Sequence, residues 1–474
     1  MVWIKRISLS LLALIVVVVL VAVIALLHFR IPQNATGMAA QGVCSAAFVA
    51  GRDSGQDVFA EDLKPASPAF DLVSTSIDQE HRSVTAKFLG VFERQASLLD
   101  NRGCVLDEPP QPGAQSFVNK ATNPAPWPQG NGAVPSAAAG PGVDDRRLQA
   151  VADAAMVGAG DPNGVNARGL AVVQNGKLLA VREAKGFENG TPLLGWSMTK
   201  TVAAMLYYKR AAEVGLDLAR PVVNAFPAGH EPAWVNDWKR DERRNITVAD
   251  MIFMRSGLKI SESYEPWGDV VQMLYGAPSM ADWAADHPLA HDPGSFWYYT
   301  SGGANLLSEI TQGQFASNAD YWAYPKQALF DPIGVTSATM ETDTSGTWVG
   351  SSYLWASVAD WARLGQLMLS DGKWGDKQVL PPGWLKLAST PALPTGDGHG
   401  YGAQTWLAGA KDGGECNTNA GVPTDTMTMD GHWGQVVAMI PSRKAVIVRL
   451  GWTVDEDKFD ECKFITDVLA TMPK

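Results

Sequence analysis

Two β-hairpins, one at each end of a long stretch, constrain this chain more than any other feature. The first reads Arg168-Gly-Leu-Ala-Val-Val-Gln174, a turn at Asn175-Gly176, then Lys177-Leu-Leu-Ala-Val-Arg-Glu183. Asn-Gly supplies the positive φ angles of a type I′ turn. The second is Gln435-Val-Val-Ala-Met-Ile440, Pro441-Ser-Arg-Lys444, Ala445-Val-Ile-Val-Arg-Leu450. Helical and loop sequence fills roughly 197–390 between them. Helical spacing also runs from Asp144 to Val157 and from Asp455 to Met472. Strands at both ends with helices between them imply an α+β fold. One antiparallel sheet is assembled from both ends of the domain and flanked by helices, and a mostly helical lobe is inserted. A site belongs between sheet and lobe.

The N-terminal side divides by composition. Lys5-Arg6 precedes an uncharged run over residues 7–27, long enough to span a bilayer as a helix. It lacks the short apolar core and clean cleavage site of a secretory signal. The expectation is a transmembrane anchor over 1–30, preceding the α+β domain. The basic residues place the N-terminus in the cytoplasm. The protein is then a single-pass bacterial inner-membrane protein with its main domain on the extracytoplasmic side. Residues 31–110 form a small extension whose Leu72–Ile77 and Ser83–Phe92 read as a hairpin around Asp78-Gln-Glu-His81. Residues 111–142, rich in Pro, Gly, Ala and Asn, read as a connector draped over the main domain, 143–474.

An exported chain with an even cysteine count points to disulfides. Of the three pairings open to four cysteines, loop closure and shared segments favour Cys44–Cys104 and Cys416–Cys462. Without a Cys-x-x-Cys or a nearby histidine pair, no metal site is expected, and no cofactor is implied. The formal net charge of −11 argues against nucleic acid as a partner.

Three stretches carry chemistry. Ser197-Met-Thr-Lys200 opens an apolar run after a loop, so a helix is expected to begin near Ser197. Lys200 then stands one turn above the serine hydroxyl, which needs a neighbouring base to become a nucleophile. Tyr299-Thr-Ser301 sits where a loop enters a helix, and a phenol beside Lys200 could relay a proton. His432-Trp433-Gly434 precedes the second hairpin. Gly434 allows a ligand to approach closely, and the backbone N–H groups of Ser197 and Gln435 are candidate oxyanion donors. A further helix is expected to end at Arg255-Ser-Gly257, followed by a loop carrying Tyr264 and Trp267.

In order and spacing these motifs resemble the serine β-lactamase and penicillin-binding-protein superfamily over roughly residues 143–474. The resemblance takes in the stretch Ser351–Gly365 and Leu380-Pro-Pro-Gly383. It implies a β-lactamase/DD-peptidase-like fold, with Ser197, Lys200 and Tyr299 as the catalytic group. Ser301 stands where class C lactamases carry asparagine, and His432 where lactamases carry the lysine of Lys-Thr-Gly. That combination is similar to class C-like esterases and 6-aminohexanoate-dimer (nylon oligomer) hydrolases. The latter resemblance extends to Leu258–Tyr264. It implies hydrolysis of small esters or amides, with Tyr264, Ser301, His432, Trp433 and Gly434 on the substrate side. A cell-wall D-Ala peptidase or β-lactamase, and a catalytically silent binding protein using the same cleft, are the competing readings.

Overall fold

The computed structural model describes residues 2–52, 58–114, 125, 127, 128, 130, 140–162, 164–393, 400–408, 416 and 420–473. Much of the expected connector, and parts of the loop between 391 and 430, lie outside them.

The chain opens with two helices, α1 (Val2–His28) and α2 (Ile31–Cys44), separated by Arg30 in the left-handed region at φ 53°. The membrane anchor is corrected here. Crossing a bilayer takes about 20 consecutive apolar residues. Among the described residues, no helix is long and apolar enough to do so. The inner-membrane placement rested on that anchor and falls with it.

Helix α2 lies on an antiparallel meander of four strands: β1 (Val73–Asp78), β2 (Ser83–Phe88), β3 (Phe92–Leu99) and β4 (Gly103–Leu106). The expected hairpin is there, in register from Val73↔Phe88 to Asp78↔Ser83. Its second strand ends earlier than expected, because Leu89 and Gly90 both take positive φ and make a tight turn into β3. Small residues on α2, Ala39 and Ala40, are fully buried with Val84, Ala86, Ala96 and Leu98 of the sheet. Cys44 is bonded to Cys104, joining the end of α2 to β4.

The main domain begins with α3 (Asp145–Ala155), capped by the Asp144 carboxylate on Arg147 N. Next come β5 (Ala167–Gln174) and β6 (Lys177–Glu183), joined by Asn175 and Gly176 at φ 50° and 72°. The lobe supplies α4 (Met198–Val214), α5 (Asp269–Gly276), α6 (Ser301–Gln312) and α7 (Val358–Leu369). The chain then returns to the sheet with β7 (Met427–Gly431), β8 (Gln435–Ile440) and β9 (Ala445–Gly451), and closes with α8 (Glu461–Leu469). The strand order is β7-β8-β9-β5-β6, every pair antiparallel. β9 and β5 meet at its centre, from Ala445↔Gln174 to Gly451↔Ala167.

Every residue of β5, β8 and β9 is buried, because both faces of the sheet are covered. Ala171, Val173, Val437, Val446 and Val448 face the lobe through α4 and α7. Gly365 lets α7 close on the sheet: a Cβ there would lie 2.7 Å from Val446 and 2.8 Å from Val437. Leu170, Val172, Val436 and Ile447 face α3 and α8 on the other side. Cys416 is bonded to Cys462 of α8. The helix expected to end at Arg255 is only Val248–Ile252. The Thr247 hydroxyl accepts from Asp250 N and the Asp250 carboxylate from Thr247 N, a box that fixes its start. The closing helix is likewise shorter than its spacing suggested. Of the connector, Trp127, Pro128 and Gly130 rest on α7, where Arg363 donates to the Pro128 and Gly130 carbonyls and lies over the Trp127 ring.

Two buried polar clusters bind the N-terminal unit to the main domain. Asp62 pairs with both Arg52 and Arg168 of β5, and its backbone carbonyl accepts from Trp452 Nε1 at 2.7 Å. Glu341, fully buried, accepts from Ser45 Oγ (2.8 Å), Cys104 N (2.9 Å) and Trp355 Nε1 (3.0 Å).

Candidate active site

Residues Leu193–Leu194 pair with Leu354–Ala356, so the chain enters α4 from a fixed edge. Gly195 is required there, since a Cβ would fall 2.1 Å from the Trp361 ring. Trp196 follows at φ 47°, a strained conformation for a tryptophan. Aromatic packing holds it: the Trp196 ring meets His432, Trp433 and Trp452 at centroid distances of 5.7, 5.4 and 5.8 Å. The bend delivers Ser197 to the N-cap of α4.

Lys200 stands one turn on, as its spacing implies. Its Nζ lies 2.8 Å from Ser197 Oγ and 3.0 Å from the Ser351 carbonyl, and the side chain is almost completely buried. Burial drives its pKa down to about 8; the Glu262 carboxylate opposes that fall. Lys200 Nζ also sits 4.9 Å from the centre of the Tyr299 ring. The Ser197 side chain interacts with the phenols of both Tyr299 and Tyr264. Burial raises both phenols well above their ordinary range, more than the Ser197 interaction lowers them. Three groups, Lys200, Tyr264 and Tyr299, therefore converge on one hydroxyl.

The cleft around Ser197 has a volume of about 380 Å³. Tyr264, Tyr299, His432, Gly434 and Gln435 line it together with Ser197. His432 stacks on Tyr264 at 4.3 Å and 16°, and its Nδ1 lies 3.3 Å from Glu456. That hydrogen bond is the main reason the Glu456 carboxyl is held below its usual range. Gly434 adopts φ 77°, and a Cβ there would lie 2.6 Å from Arg449 Nη1, so the third motif needs glycine for two reasons. The Gln435 side chain braces that turn through the His432, Trp433 and Gly451 carbonyls.

Two residues expected on the substrate side do not line the cleft around Ser197. Ser301 is fully buried at the start of α6, where its N–H and hydroxyl both donate to Glu262, at 2.7 and 2.6 Å. Trp433 is buried among Trp196, His432 and Trp452. Glu262 itself carried no expected role. It lines the cleft, caps α6 and faces Lys200. The only hint in the sequence was an acid within Leu258–Tyr264 and a helix start whose Thr300 makes no side-chain cap. Asp430, Glu456 and Glu461 add three further carboxylates to the lining.

The beta-lactamase family pattern matches residues 146–463. The chain belongs to the beta-lactamase family. Its fold is that of the serine β-lactamase and penicillin-binding-protein superfamily, and the protein is a serine hydrolase. Among solved structures it is similar to a candidate 6-aminohexanoate-dimer hydrolase from Bacillus anthracis, at 20% identity and a TM-score of 0.54, over 66% of this chain and 82% of that one. A candidate beta-lactamase from Bacteroides dorei aligns at 14% identity and 0.52, over 70% and 99%. A family VIII carboxylesterase aligns at 12% and 0.51, over 69% and 98%. At these identities the likeness is one of fold. No curated protein matches the chain. The family match starts at residue 146, so the α2–β4 unit lies outside it, and the two buried clusters tie that unit to Arg168 and Glu341 within it.

Proposed function

We propose that this beta-lactamase-family chain hydrolyses ester or amide bonds of small molecules through an acyl-enzyme on Ser197. One observation carries the reading: a desolvated lysine amine, poised near pH 8, lies 2.8 Å from a serine hydroxyl at a helix start. Lys200 takes the Ser197 proton as Oγ attacks the carbonyl carbon. Lys200 is the better base of the pair, because burial lowers its pKa and raises that of Tyr299. The N–H groups of Ser197 and Gln435 receive the oxyanion. As the tetrahedral species collapses, the leaving oxygen or nitrogen takes a proton relayed by Tyr299. Water then attacks the acyl carbon, gives its proton back along the same path, and frees Ser197.

The cleft's charge supports esters and amides over β-lactams. Glu262, Asp430, Glu456 and Glu461 line it, and a lactam antibiotic brings a carboxylate of its own. Nitrocefin is therefore expected to turn over far more slowly than short-chain p-nitrophenyl esters; the reverse order in a side-by-side assay refutes the subclass. His432 stacks and pairs in the wall without reaching the Ser197–Lys200 pair. His432→Ala should raise KM several-fold with little change in kcat, and a kcat loss as large as that of Lys200→Ala would move His432 into the proton path.

A further inference from the structure

A second cavity, about 570 Å³, lies on the other side of the Tyr264–His432 stack. Tyr264 and His432 line both this chamber and the catalytic cleft, so the two spaces share a wall. The chamber differs in character from the cleft. It is lined by Met38, Phe70, Val271 and Trp433 among others and holds one carboxylate, Glu265, where the cleft holds four. Much of its wall comes from outside the family domain, including Asn34, Ala35 and Met38 of α2, and Ala66, Ala69 and Phe70 before β1. Two polar groups in that wall have no hydrogen-bond partner among the described residues. Asn34 is 2% exposed; its Nδ2 donates to the Pro266 carbonyl at 3.3 Å, but its Oδ1 accepts nothing. Trp196, 3% exposed and adjacent to the nucleophile, has an Nε1–H that donates to nothing. Buried polar groups are ordinarily paired. Both unpaired atoms are themselves covered from solvent, so the surface a ligand meets here is the chamber's lining of side chains.

We propose that the chamber is a substrate subsite, built jointly by the N-terminal unit and the family domain, for an uncharged apolar arm. The scissile bond lies at Ser197 and the arm passes the Tyr264–His432 pair. The N-terminal unit is thereby part of the specificity machinery. This deepens the Ser197 reading and rests on it.

The test uses the full chain and two ester series, p-nitrophenyl alkanoates and alkyl acetates, from two to eight carbons in the varied arm. In at least one series kcat/KM is expected to rise tenfold or more with length. Ala35→Trp and Ala69→Trp, which narrow the chamber from two different segments, should each abolish that rise, whereas Val157→Trp on the exposed surface should preserve it. A measurement that needs no variant runs beside it: the rate at which methyl and octyl fluorophosphonates label wild-type Ser197. Faster octyl labelling supports the chamber. Equal labelling of Ser197 by both probes, with no length preference in either series, overturns the chamber and leaves the nucleophile standing. No labelling of Ser197 by either probe removes the nucleophile assignment itself.

Discussion

Ser197→Ala should remove essentially all turnover, and Lys200→Ala and Tyr299→Phe should each lower kcat by roughly 10²- to 10⁴-fold, the range for general acid–base groups. The Lys200 Tyr299 double variant should be little worse than the worse single, because members of one proton-transfer unit are not additive. The pH profile follows from the buried amine. Below about 8 Lys200 holds its proton and cannot accept another; above it the amine is free. The logarithm of kcat/KM should climb with pH and level off near 8, and the rise should vanish in Lys200→Ala. The same burial has a stability cost. The folded pKa lies below the unfolded one, so the folded state gains stability as pH rises from about 8 towards the ordinary lysine range. An uncharged Lys200→Met variant should accordingly melt higher than wild type at pH 7, with the gain shrinking at pH 10. Intact-protein mass spectrometry after mixing with a slow ester reads the chemistry directly. An adduct on any residue but Ser197, or full activity in Ser197→Ala, contradicts the mechanism.

Asp62→Ala should be the most destabilising single change at the junction between the N-terminal unit and the sheet. It strands Arg168, 3% exposed in β5, and half-frees Arg52. Removing one partner of a buried ion pair typically costs about 3–5 kcal/mol. Thermal unfolding at pH 7 should show a drop of that size, and an unchanged melting temperature would refute the latch. The pH dependence of the junction has two opposed components. Burial pushes the Asp62 carboxyl up, but Arg168 and Arg52 together outweigh it and hold the pKa below the usual value. Its contribution is thus present at neutral pH and lost on acidification through that lowered pKa. Glu341 goes the other way: burial pushes it up to about 7, against the pull of its hydrogen-bond donors. The folded state favours its proton, so its contribution declines as pH rises from the ordinary carboxylate range to about 7. Glu341→Gln should flatten that decline while leaving the acid-side loss due to Asp62.

What could be read in advance was local. Asn175-Gly176 announces its turn through backbone chemistry, and Ser197 and Lys200 meet because three residues of helix bring them together. That both hairpins would join one sheet followed from their need to bury a face; that β9 and β5 would be the strands to meet did not. Glu262 was invisible because its position depends on the 258–264 loop folding over the start of α6. Ser301 was misjudged for the same reason: its motif position was clear, but not that a carboxylate would occupy its hydroxyl. The meander beyond β2 turned on Leu89, a residue with no turn preference, adopting positive φ. The anchor was inferred from apolar composition, and among the described residues no helix is long and apolar enough to cross a membrane. The Asp62–Arg168 pair joins residues 106 apart in sequence, which no periodicity records.

The strand order also sets a timetable. On a ribosome, α4 with Ser197 and Lys200 emerges long before β8 and β9, yet β5 finds its central neighbour only when Ala445–Gly451 has been made. Until then β5 and β6 form a ribbon with one open edge, whose residues are all buried in the finished fold. Such non-local pairing is slow to close and prone to association while it waits. Nascent chains halted before residue 445 should therefore need a chaperone, while those released after residue 469 should close unaided.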